Sequence, residues 1–151
     1  MAKSQRYERI YDQLQELIHP VSNPVSRMAT ITAVLHHKFD RFFWTGYYLL
    51  DDKEDLLVGP YQGPLACLKL ERDKGVCRAG INQKKAIVVK DVETFPGHIA
   101  CDPRSKSEIV VPLFNAGEKI VGVLDIDSDS HNSFDDIDAA WLTKINALIF
   151  S

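Results

Sequence analysis

Tyr7, Ile10, Tyr11, Leu14, Leu17 and Ile18 recur at steps of three and four residues, the period of a helix that buries one stripe. Pro20 cannot continue such a helix, so the first one ends just before it. Asn23-Pro24 pairs a capping side chain with a proline at a first-turn position. Val25, Met28, Ala29, Ile31, Thr32 and Leu35 then predict a second helix running to about Lys38. The period changes from there on. Phe42 to Leu50, FFWTGYYLL, is dense in aromatic residues and has the length of a strand, and the polar DDKED after it turns the chain into LLVG.

Gly59-Pro60 and Gly63-Pro64 bracket a stiff, bent connection. Beyond it, Ala66, Leu68 and Leu70 alternate with Cys67 and Lys69, which predicts a third strand with Cys67 on the face opposite its apolar neighbours. Gly75-Val76-Cys77 opens a short helix, and residues 86–89, AIVV, resume the strand pattern. No period is legible from Lys90 to about Lys106, and long irregular connections often carry reactive groups on a rigid scaffold. Glu108 to Phe114 and Lys119 to Asp127 are β-branched runs joined by the hairpin sequence Asn115-Ala116-Gly117-Glu118. Ser133 with Asp136 resembles a helix-start box for a last helix whose stripe is Phe134, Ile137, Trp141, Ile145 and Leu148. The expected fold is α+β: one domain over residues 1–151, an antiparallel six-stranded sheet with the N- and C-terminal helices packed on one face.

A chain of 151 residues can bury a core without a disulfide staple or structural metal. The formal net charge of −3, with cations scattered along the chain, argues against nucleic acid as a partner. The opening MAKSQRYERIYDQLQ is no secretory leader and no run is long enough to span a bilayer, so a cytoplasmic protein without membrane contact is expected. In that compartment the odd set Cys67, Cys77 and Cys101 leaves catalytic, redox or metal roles open beside the plain role of small buried hydrophobes.

Gly59-Pro60-Tyr61-Gln62-Gly63, Ala66-Cys67, Gly75-Val76-Cys77, Phe95-Pro96-Gly97-His98-Ile99-Ala100-Cys101-Asp102, Ser107-Glu108-Ile109-Val110 and Gly122-Val123-Leu124-Asp125-Ile126-Asp127-Ser128 stand in this order along the chain. Together they resemble the free methionine-(R)-sulfoxide reductases of the GAF superfamily, over nearly the whole stretch from Phe42 to Ser128. The resemblance implies a GAF fold, a free substrate, R-stereochemistry at sulfur, recycling by thioredoxin, no bound cofactor and a homodimer. A sulfoxide needs a soft nucleophile and an acid for its oxygen, and a thiolate with a carboxylic acid meets both needs. The family motif implies attack by Cys101, which becomes a sulfenic acid. A second thiol then closes a disulfide, with Cys67 the first choice and Cys77 the rival for either role.

Asp125 and Asp127 share one sheet face because strand side chains alternate, and two carboxyls inside an apolar strand call for a reason. By the resemblance, Glu108 and Asp127 polarise the sulfoxide oxygen with Asp125 in support, and these acids hold the substrate ammonium. Trp44 and Tyr48, with Tyr47 and Tyr61 as further candidates, would wall in the methyl and methylene groups. His98 is open between loop anchor and proton carrier. Two other readings compete: a non-catalytic GAF module that binds a small molecule, and a zinc site built from Cys67, Cys77, His98 and Cys101.

Overall fold

A computed structural model describes residues 1–151. Helices α1 (Lys3–Ile18) and α2 (Pro24–Lys38) come first, followed by strands β1 (Trp44–Leu50) and β2 (Leu56–Gln62). Helix α3 (Val76–Gln83) and strand β3 (Ile87–Val89) follow, then β4 (Ser107–Phe114), β5 (Ile120–Ser128) and helix α4 (Asp136–Asn146). The strands form one five-stranded sheet in the order β2-β1-β5-β4-β3, every neighbouring pair antiparallel.

Local chemistry sets the helix ends. The Asn23 side chain accepts from Ser26 N at 3.0 Å, with Pro24 as the first helical residue of α2. For α4 the cap is Asp135 rather than Ser133: its side chain accepts from Ile137 N and Asp138 N, and Asp138 answers with a bond from Asp135 N. The hairpin between β4 and β5 turns on Asn115, whose carbonyl oxygen accepts from Gly117 N and Lys119 N, both at 3.0 Å.

The sixth strand, expected at Ala66–Leu70, does not form. Gly63 sits at φ 116°, in the region that favours glycine, and Pro64 has no N–H to offer a ladder. The chain therefore pairs with β2 only through a single bridge, Val58 N to Leu68 O at 2.9 Å and Leu70 N to Leu56 O at 3.0 Å. The alternation read there is broken accordingly: Leu70 is buried while Leu68 is exposed.

Each face of the sheet carries its own core. On one side Tyr47, Ile109, Val111, Leu113, Leu124 and Ile126 pack against the buried stripes of α1, α2 and α4. That stripe is narrower than the sequence pattern, since Leu17, Val25 and Ile137 are exposed. On the other side Trp44, Tyr48, Val110 and Val123 meet α3 and the connections around it. Helix α3 lies close because residue 80 is glycine: a Cβ there would stand 2.7 Å from Val110 Cγ1.

Candidate active site

The α3 face of the sheet is where the acids appear. Antiparallel pairing sets Glu108 of β4 opposite Asp127 of β5, and Asp127 opposite Trp44 of β1, so one row crosses three strands. Asp125 follows two residues along β5 on the same face, opposite Val110 and Gly46. Gly46 keeps this part of the floor open to the indole, because a Cβ there would lie 2.5 Å from the tip of the Trp44 ring. Trp44 in turn stacks between Tyr48 and Tyr61, with centroids 5.7 and 5.3 Å away.

Three irregular pieces roof this floor. Residues 63–75 bring in Leu65, Ala66 and Leu70, the start of α3 brings in Val76 and Cys77, and the loop after Phe95 brings in His98, Ile99, Cys101, Asp102 and Ser105. The roof is stitched together at few points. Cys67 and Cys101 are joined by a disulfide, their Cα atoms 5.6 Å apart across 34 residues of sequence. Tyr48 donates its hydroxyl to the carbonyl of Cys67 at 2.9 Å, and Ser105 donates to Asp127 Oδ1 at 3.2 Å. Gly75, at φ 93°, lets Ile99 pack onto the chain, since a Cβ would meet Ile99 Cδ1 at 2.9 Å. Arg104 binds Asp102 through two nitrogens, at 2.7 and 3.0 Å, and lies over the Phe43 ring. The disulfide sits at the rim: Cys101 is exposed and Cys67 half-buried, whereas Cys77 is a buried free thiol.

Electrostatics follows from that burial. Glu108 and Asp125 are 5 % and 6 % exposed, and the nearest basic group to them is His98, whose Nε2 stands 3.5 Å from Glu108 Oε1. With no lysine or arginine paired to the trio, burial favours the neutral acids. Burial, and then the charge of Asp127, pushes Glu108 up to about 8. Asp125 is raised well above the usual carboxylate range by burial and by Glu108, and Asp127 by burial and by Asp125. Burial and the carboxyl of Asp125 also push the Cys77 thiol up, while burial lowers His98. At neutral pH the pocket therefore holds carboxylic acids able to donate a proton beside a neutral imidazole.

Nearly all the residues singled out from the sequence meet here: Trp44, Tyr48, Cys77, His98, Cys101, Glu108, Asp125 and Asp127 line one cavity, with Cys67 bonded to Cys101. Tyr47 does not belong. One residue from Tyr48 on the same strand, it points to the other face, where its hydroxyl donates to Asn146 Oδ1 in the helical core. Tyr61 supports Trp44 from behind rather than lining the cavity. The cysteine–histidine zinc quartet also fails in this state, because Cys67 and Cys101 are bonded to each other and offer no thiolate. Ser105 and Arg104 were not legible as site residues: they lie in a stretch without periodicity, and their partners are distant in sequence or held by a local turn.

The chain is similar to known proteins over nearly its whole length. A GAF domain model matches residues 28–149. A solved free methionine-R-sulfoxide reductase of Neisseria meningitidis, in complex with its substrate, superposes with a TM-score of 0.93 at 37% identity over 99% of this chain and 89% of that one. The free methionine-R-sulfoxide reductase of Escherichia coli is 35% identical over 147 residues, 97% of this chain and 88% of its own. The chain belongs to the GAF-domain family of free methionine-R-sulfoxide reductases. This member of the reductase family is also 46% identical over 148 residues to GAF domain-containing protein A of Dictyostelium discoideum, covering 98% of this chain and 92% of that protein. None of its helices is long and apolar enough to cross a membrane.

Proposed function

We propose that the protein reduces free methionine-R-sulfoxide to methionine, using Cys101 as nucleophile, Cys67 as the resolving thiol and the buried acids as proton donors. The observation that carries this reading is an accessible disulfide at the rim of a pocket whose floor is three carboxyl groups with raised proton affinity, Glu108 and Asp125 buried and Asp127 half-buried. In the reduced protein the Cys101 thiolate attacks the sulfoxide, and two electrons pass from its sulfur to the substrate sulfur. The oxygen moves to Cys101 as a sulfenic acid, with Glu108 and Asp127 supplying the proton its departure requires, and methionine leaves. Cys67 then condenses with the sulfenic acid, water is lost, and the Cys67–Cys101 disulfide results. A protein dithiol of the thioredoxin class restores both thiols, so each cycle converts one sulfoxide and one dithiol into methionine, a disulfide and water.

Two unsatisfied groups support a small dipolar guest. Trp44 Nε1 is a buried donor without an acceptor, and Asp125 Oδ1 is a buried acceptor without a donor. Free methionine sulfoxide carries both complements: oxygens that accept and an ammonium that donates. Trp44 and Tyr48 offer apolar ring surface to its methyl and methylene groups. The location of this cycle is a reducing cytoplasm, and the assembly a homodimer.

The deciding assay follows the purified protein with thioredoxin or a small dithiol on free methionine-R-sulfoxide, the S epimer and a sulfoxide-containing peptide. Turnover confined to the free R epimer is expected. Preference for the peptide overturns the substrate assignment, and binding without turnover on every substrate returns the chain to the class of non-catalytic GAF modules.

A further inference from the structure

Cys77 takes no part in the disulfide, yet it stands at the floor of the pocket rather than in plain hydrocarbon. Its sulfur, a Glu108 carboxyl oxygen and an Asp125 carboxyl oxygen all lie within 4.8 Å of one another, and all three residues are buried. Each comes from a different regular element, α3, β4 and β5, so their mutual placement is held by the sheet and the helix docked on it. Asp125 is 94 % buried, being 6 % exposed, and its Oδ1 has no hydrogen-bond partner. No lysine or arginine pairs with Glu108 or Asp125. The one basic group at hand is His98, with Nε2 3.5 Å from Glu108 Oε1.

One thiol, two carboxyls and an imidazole form a mixed sulfur, oxygen and nitrogen donor set, the kind that zinc and its softer congener cadmium accept. Zinc bonds of about 2.0–2.3 Å place tetrahedral donors about 3.5 Å apart. The observed spread, up to 4.8 Å, must contract by about 1.3 Å to meet that spacing. We propose that Cys77, Glu108 and Asp125 form a binding site for a single thiophilic divalent cation, with His98 or water in the fourth position. On binding, the Cys77 S–H bond and the O–H bonds of the protonated Glu108 and Asp125 carboxyls break, their protons pass to buffer, and metal–sulfur and metal–oxygen bonds form without any change of oxidation state. The cation would occupy the carboxyls that otherwise meet the guest, so it acts as a reversible block on the pocket. The site persists in the disulfide form, where Cys77 is the only thiol.

The test uses the full chain with the Cys67–Cys101 disulfide closed and no sulfoxide present, so its outcome is separate from that of the reductase assay. Cadmium is titrated in while the thiolate-to-cadmium charge-transfer absorption in the ultraviolet is followed, with stoichiometry read by calorimetry. One cadmium per chain is expected, with Cys77→Ser losing the absorption altogether. Asp125→Asn should weaken binding by more than about tenfold, since even outer-sphere partners are worth about 10–100-fold in metal affinity. Glu108→Gln serves in its place if near-ultraviolet circular dichroism shows that Asp125→Asn does not fold. The proposal is overturned by no absorption in the parent protein, by absorption that survives Cys77→Ser, or by affinity that folded acid variants leave unchanged.

Discussion

A glutamate at a protein surface is ionised at neutral pH, whereas Glu108, buried with Asp127 beside it, keeps its proton up to about pH 8. If that proton goes to the sulfoxide oxygen, single-turnover reduction should slow as pH rises through about 8, because ionised Glu108 has nothing to donate. Glu108→Gln should lower the rate by about 10²–10⁴-fold, the usual worth of a positioned acid, with the circular dichroism spectrum unchanged. A rate within a factor of a few of the parent would remove the acid role. The cysteines separate by a different measurement. Cys101→Ser should release no methionine in a single turnover, while Cys67→Ser should release one equivalent and then stall in the presence of thioredoxin. A full equivalent from Cys101→Ser would move the nucleophile to another thiol.

Elements, not single residues, decide where those thiols can go. Strand β1 supplies Trp44 and Tyr48 to the pocket and Tyr47 to the opposite core, a division that follows from the two-residue repeat of side-chain direction. Tyr48 also ties the roof to the floor through its bond to the Cys67 carbonyl. Tyr48→Phe should therefore leave methionine release from the reduced protein close to normal while slowing disulfide closure, measured as a longer-lived sulfenic acid trapped by dimedone. Equal rates of closure in variant and parent would show that the tether is idle. Helix α3 is held near the sheet by the missing side chain at residue 80. Gly80→Val must displace either Val110 or the helix, and a loss of about 1–3 kcal/mol in a denaturant melt is expected for such overpacking.

For the molecule as a whole, the buried acids form a stability gradient with pH. Glu108 has its ordinary value near 4.5 when unfolded and about 8 when folded. Between those values the folded chain holds a proton that the unfolded chain has released, so stability falls by up to about 1.4 kcal/mol for each pH unit gained. Below the lower value both states are protonated and the full contribution is present; above the upper one it is gone. Asp125 and Asp127 act in the same direction. Thermal melts should therefore show Tm dropping from pH 5 to pH 8, with a shallower slope in Glu108→Gln, and a Tm that rises over this window would contradict the assigned burial.

Much of this architecture was legible in the chain. Helical stripes, the proline and asparagine caps, the Asn115 turn and the pairing of Asp125 with Asp127 on one face all rest on periodicity and on contacts a few residues long, which sequence order carries directly. The three cysteines and the ordered motifs likewise pointed to the family to which the chain belongs. Non-local geometry decided the rest. Strand register set Glu108 against Asp127, and the turn at Gly63-Pro64 reduced an expected strand to a single bridge. The closing of the roof joined Cys67 to Cys101 and left Cys77 beside the acids. Such outcomes depend on which distant surfaces meet and exclude water, and that information belongs to the packed chain rather than to any short window of it.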